Sequence, residues 1–170
     1  SLATFLAKWV QKTARRYTYR FIFVPETIGS VVYLSKNLAH LKKHVKAGFV
    51  LTCVGDDRSF SFMPSPSGTT LADKVARKVL ETYAPDYQEF SFLTDRGSDE
   101  RQYCSPGADL PVVSMMRSKY ATYPEYHTSL DDLKLISADG FAKSYLLHCK
   151  AFEAIENTTC WQATNIGEPQ

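Results

Sequence analysis

Cysteine is scarce in this sequence and poorly spaced for chemistry. Cys53, Cys104, Cys149 and Cys160 are its four cysteines, and no pair of them has the two-residue gap of a zinc finger or a redox dithiol. A domain with an ordinary core does not need a disulfide framework, so free thiols in a reducing compartment are expected. No apolar run reaches the ~18–20 residues that a membrane span requires. The opening segment carries Lys8, Lys12, Arg15 and Arg16 inside its periodic pattern, which is not the layout of a secretory signal. A cytoplasmic location is the expectation. Charge of one sign is also lacking. Lys and Arg number 20 against 18 Asp and Glu, a formal net charge of +2, so nothing forces nucleic acid or an acidic membrane as partner. Gly55, Gly68, Gly97 and Gly107 are scattered rather than gathered into a phosphate cradle. Tyrosines and basic residues do not interleave into a base-stacking platform.

What is present is the composition of one globular domain: 170 residues, 44 % apolar and 22 % charged. Leu2, Leu6, Trp9 and Val10 recur at helical spacing. Residues 17–24 are aromatic and β-branched up to Pro25 and predict a buried strand. Residues 28–46 predict helix with a basic face. Phe49–Val54 reads as a second buried strand, and Ser59–Met63 as an edge strand or hairpin arm. Thr70–Tyr83 reads as an amphipathic helix, Tyr87–Phe92 as a third strand, and Leu110–Met115 as a fourth. Ser98 is the expected N-cap of a short helix. A long final helix starts near Ser137. Strands alternating with helices predict an α/β fold, a mixed and largely parallel sheet sandwiched by helices. Residues 1–157 form this unit, and 158–170 lack strong periodicity.

Ligands of open α/β sheets bind beyond the carboxyl ends of the strands. Glu26 follows the first strand, Asp56 and Asp57 the second, Asp95, Asp99 and Glu100 the third, and His127 lies past the fourth. Three carboxylate-bearing strand ends and one imidazole suit a metal or acid–base site, although loop acids are more often caps and turns. Glu26 is either a first-turn acid favoured by the helix dipole or a ligand or base on a rigid strand end. His127 is either an exposed loop residue or a zinc ligand oriented by its neighbours. His40 and His44 share a helix face without the intervening glutamate of a zincin. A serine-hydrolase elbow is missing around Ser98, and Cys53 ends a buried strand, where a thiol is inert.

Four segments, Tyr17–Ser30, Phe49–Asp56, Asp95–Cys104 and Tyr123–Asp132, taken together and in this order, resemble bacterial aminopeptidase-like proteins of surface-polysaccharide biosynthesis clusters, members of the zinc-dependent exopeptidase clan. The resemblance implies a mixed α/β sheet between helices and a site for one or two zinc ions. It places Glu26 at the clan's glutamate, as metal ligand or general base, and His127 at its final metal-binding histidine. Asp56 or Asp57 would be a further ligand, and Asp99, Arg101 and Tyr126 would touch a peptide or amide-containing substrate. Departures accompany the match. Pro25 precedes Glu26 where the clan carries a glutamate pair, and Thr52-Cys53 stands where a ligand aspartate is usual. The first histidine and the bridging aspartate should lie upstream of Ser1. The expectation is the second half of a peptidase-like domain, partnered by its missing half, with weak or no zinc binding alone. The alternative is a non-catalytic binding or scaffold module that keeps the fold.

Overall fold

A computed structural model describes residues 1–159 of the chain. In order, these form α1 (Leu2–Val10), α2 (Ile28–His44), β1 (Gly48–Val50), β2 (Ser61–Met63), α3 (Leu71–Tyr83), β3 (Gln88–Glu89), α4 (Phe92–Asp95), α5 (Glu100–Tyr103), β4 (Val112–Met116) and α6 (Ala138–Asn157). The strands make one sheet in the order β1-β4-β2-β3. β1 runs parallel to β4 with Phe49 opposite Val113, and β2 runs parallel to β3. β2 and β4 are antiparallel, with Phe62 opposite Met115. The expected mixed α/β sheet is present.

All five residues of β4 are buried, as a central strand with helices on both faces requires. Its side chains alternate between two cores. Val113 and Met115 join Phe62 with Val75, Val79 and Leu80 of α3 and Leu147, Ala151 and Ile155 of α6. Val112 meets Leu34 and Leu41 of α2 on the other side. α1 lays Leu2 and Leu6 on Cys149 and Phe152 of α6. The helix starts are cut by side chains. Thr70 and Asp73 form a reciprocal capping box at α3, and Ser137 Oγ accepts from the Gly140 amide at α6.

Several boundaries differ from expectation. Residues 17–24 form no strand. Their side chains alternate between half-buried and exposed from Tyr17 to Ile22, as in a strand, but among the described residues they make no backbone–backbone hydrogen bond. The segment is moored by Glu156 instead, which accepts from the Arg16 amide at 2.6 Å and the Tyr19 hydroxyl at 2.8 Å. β1 stops at Val50 because Cys53 turns left-handed, with φ 48°. β2, expected at an edge or in a hairpin, lies inside the sheet and is wholly buried. Phe92 opens the short α4 rather than closing a strand. Asp99, not Ser98, is the N-cap residue of α5, because the Ser98 hydroxyl is engaged elsewhere. Of the irregular tail expected over 158–170, the residues from 160 onward, Cys160 among them, lie outside the described residues.

Candidate functional site

Three chain segments converge at one rim of the sheet: the turn after residue 24, the loop after β1 and the long loop after β4. They enclose a cavity of about 360 Å³ lined by Glu26, Cys53, Asp56, Tyr123, Tyr126 and His127, among others. A carboxylate from early in the chain and an imidazole from late in it therefore face the same space.

Glu26 sits where Pro25 ends the apolar run. Its position is set by the 97–100 loop, since Ser98 Oγ donates to Glu26 Oε1 at 2.6 Å and Asp99 Oδ1 accepts from the Thr27 amide at 2.8 Å. Thr27 has φ 62°, an uncommon conformation for a β-branched residue, and the Asp99 contact holds it there. The loop is held from beneath by Glu100, which is fully buried. Glu100 Oε1 accepts from the Gly97 amide at 2.8 Å, the Ser98 amide at 2.9 Å and the Tyr120 hydroxyl at 2.6 Å. Burial, reinforced by this bond to Glu100, pushes the Tyr120 phenol pKa far up, so Tyr120 is a permanent donor.

His127 is exposed, in the left-handed region at φ 58°, and its ring stacks on Tyr126 with centroids 3.9 Å apart and planes 15° apart. The loop carrying it is tied down by a two-pronged pair between Arg58 and Glu125, at 2.6 and 2.9 Å. The Arg58 guanidinium holds the Glu125 carboxyl down at about 2. Tyr126 and Tyr123 also line the cavity, and burial raises both phenols above their ordinary pKa. Burial likewise raises the Cys53 thiol, whose Sγ lies 3.7 Å from the Tyr123 hydroxyl, so it is a neutral thiol rather than a nucleophilic thiolate.

The two aspartates after β1 are occupied by the fold. Asp56 lines the cavity, but its oxygens accept from the Ser118 amide at 3.0 Å, the Ser118 hydroxyl at 2.7 Å and the Arg58 amide at 3.1 Å. Asp57 does not line it. Its Oδ1 meets Lys143 at 2.7 Å and Arg117 at 3.0 Å, and Lys143 chiefly holds its carboxyl below the usual range. Asp99 is spent on Thr27, and Arg101 is exposed and lines neither large cavity. Among the described residues no three His, Cys, Asp or Glu side chains cluster as a metal would require. Catalytic zinc takes three protein ligands, and the described residues gather no such set.

Sequence reasoning overlooked Tyr120 and Tyr123, one securing the loop that sets Glu26 and the other lining the cavity. The tyrosine-rich stretch between Arg117 and Tyr126 was their only signal.

A family model described as Domain of unknown function (DUF4910) matches residues 1–158. The chain belongs to that family. A Clostridium acetobutylicum relative that carries the provisional name polysaccharide biosynthesis protein with aminopeptidase-like domain is 43 % identical to this DUF4910 chain over 171 residues, covering 100 % of the chain and 39 % of the relative. A crystal structure of a provisionally named peptidase from the same organism aligns with TM-score 0.86 and 44 % identity, over 92 % of this chain and 36 % of that one. A Bacillus subtilis zinc aminopeptidase aligns with TM-score 0.70 at 19 % identity, over 90 % of this chain and 40 % of that one, which shows a shared fold. The DUF4910 chain thus spans well under half the length of these proteins. The sequence resemblance and the expected fold both agree with them. Among the described residues no helix is long and apolar enough to cross a membrane.

Proposed function

We propose that this DUF4910 chain contributes one wall of the active site of a zinc-dependent, aminopeptidase-like hydrolase that cleaves a peptide or amide bond within a polysaccharide-biosynthesis system. The observation that carries this is the meeting of Glu26 and His127 over one cavity, from segments a hundred residues apart in sequence. The name of the 43 %-identical relative supports the same class of activity.

In this assignment Glu26 is general base or metal ligand, and its carboxylate is held by the Ser98 hydroxyl. His127 is a ligand, its ring oriented by the Tyr126 face. Tyr126 stays protonated and offers an O–H to the substrate. Asp56 and Asp57 are weaker candidates because the fold already uses them. The remaining zinc donors would come from the rest of the protein, so no catalytic step is assigned to this chain alone.

The test is amide hydrolysis by the full-length protein, comparing wild type with Glu26→Gln. A neutral isostere at a ligand or base position lowers kcat/KM by at least about a hundredfold. Unchanged turnover removes Glu26 from the chemistry. The engagement of Asp56 and Asp57 favours a second reading, a peptidase fold kept as a scaffold. No hydrolysis by the wild-type protein of any peptide or amide tested, with no bound zinc, would support it.

A further inference from the structure

The near balance of charge over the whole chain conceals a segregation. Between Thr27 and Gly55 the sequence has four lysines, Lys36, Lys42, Lys43 and Lys46, and no acid. Of the chain's 20 Lys and Arg four lie here, and all 18 Asp and Glu lie elsewhere, so the rest of the chain is net negative. α2 carries three of these lysines, and Lys46 stands two residues past its end. The helix turns Leu34 and Leu41 inward, onto Val112. Its outward side begins with Ile28, Val31 and Val32, exposed by 47–74 %. It continues with Lys36, Lys42 and Lys43, and all four lysines are exposed. Arg20 adds a cation at the flank, where it donates to the Tyr33 hydroxyl at 2.9 Å. Among the described residues none of the four lysines forms an ion pair.

Neither half of this surface follows from helix formation. A helix N-terminus favours acids, yet the first turn of α2 has none and exposes Ile28 and Val31 instead. The dipole accounts for lysines in the last turn. It does not account for Lys36, nor for a whole helix without one acid to pair four residues away. Neighbouring exposed aliphatic side chains call for a cover. Lysines call for anions and are depleted from interfaces between proteins. A soluble polyanion would satisfy the lysines and leave Ile28, Val31 and Val32 in water. An anionic bilayer satisfies both halves, because its phosphates meet the ammonium groups while aliphatic side chains pass below the headgroups.

We propose that the outward face of α2 docks on the surface of an anionic phospholipid bilayer. Ile28, Val31 and Val32 enter the headgroup region, and Lys36, Lys43 and Lys46 meet lipid phosphates. The 17 residues of α2 span about 25 Å, so both halves of the face reach one bilayer surface. Each lysine held at an anionic surface adds about fivefold to the affinity. The contact is peripheral, since among the described residues no helix is long and apolar enough to cross a membrane. Ile28 stands two residues past Glu26, so docking brings the turn that bears Glu26 close to the lipid. None of this depends on zinc or on hydrolysis.

Co-sedimentation of the full-length protein with lipid vesicles, at about 0.1 M salt, tests it. The protein should bind vesicles of equal parts phosphatidylglycerol and phosphatidylcholine, and not vesicles of phosphatidylcholine alone. Lys36→Glu, Lys43→Glu and Lys46→Glu combined should weaken that binding at least about a hundredfold. Ile28→Ser should weaken it at least about fivefold, through the apolar contact alone. All four positions are exposed, so the variants keep the fold, as circular dichroism would show. No binding to the mixed vesicles overturns the proposal, as does equal binding to phosphatidylcholine or an unaffected triple variant. Binding that is lost in the triple variant but indifferent to Ile28→Ser assigns the lysines to a soluble polyanion and overturns it as well.

Discussion

Ser98 Oγ donates a 2.6 Å hydrogen bond to Glu26 Oε1 across 72 positions of sequence, and the next residue, Asp99, takes the amide of Thr27. Two adjacent residues of one loop thus grip two adjacent residues of another. The carboxylate at the cavity is aimed by a loop built for that purpose from below.

The grip on Glu26 can be loosened without unfolding the protein. Ser98→Ala removes one hydrogen bond from a buried hydroxyl to the carboxylate of an exposed residue, which water can solvate instead, so denaturant unfolding should shift by no more than about 1 kcal/mol. Hydrolysis by the full-length protein should fall by at least about tenfold, because the carboxylate is free to rotate. A loss of stability without a loss of rate would make the bond structural.

Glu100 is the support beneath that loop. Glu100→Ala strands the buried Ser98 amide and takes one of two partners from the Gly97 amide and the Tyr120 hydroxyl, and unfolding should become easier by about 2–4 kcal/mol. Tyr120→Phe removes only one of the three donors and should cost about 1–2 kcal/mol. The order of the two variants in a urea titration checks the arrangement.

Acid should weaken the fold through His148. Its ring is buried against Phe49, with Nδ1 2.7 Å from the Ser144 carbonyl, and burial pushes its pKa down to about 4. The unfolded imidazole takes its proton near 6.5, so the native state binds fewer protons between these values. The full contribution holds above pH 6.5 and drains away as pH falls toward 4, by about 3 kcal/mol in all. Stability measured from pH 7 to 4 should show that slope, and His148→Gln should flatten it.

Gly140 lies in the first turn of α6, where an added Cβ would collide with the carbonyls of Gly55 and Asp56. The helix passes that close because Ser144 Oγ reaches the Val54 carbonyl at 2.8 Å. Gly140→Ala should lower stability by about 2–3 kcal/mol despite alanine's better helix propensity. A stabilised variant would mean that the contact is loose.

Much of this architecture is legible in the residues. The periodicity of Thr70–Tyr83 and the run from Ser137 locate α3 and α6 closely, since amphipathic spacing and caps are local signals. Residues 17–24 were misread because their composition is that of a strand while strand status depends on a neighbour, which no local pattern reveals. The alternation of Ser59–Met63 fits an edge strand or a hairpin arm, yet the burial of β2 is decided by β3 and β4 on either side. At the site, Glu26 and His127 stood out by following strand ends. That Asp56, Asp57 and Asp99 serve Ser118, Lys143 and Thr27 could not be read locally, because those partners are up to 86 positions away.

Zinc content is the most direct measurement. Full-length protein, purified without chelator and analysed for metal per chain, should hold zinc, and His127→Ala should lower its zinc affinity at least about tenfold with the fold intact by circular dichroism. Zinc bound undiminished by His127→Ala, or a wild-type protein that takes up none, would contradict the placement of Glu26 and His127 at a shared metal centre.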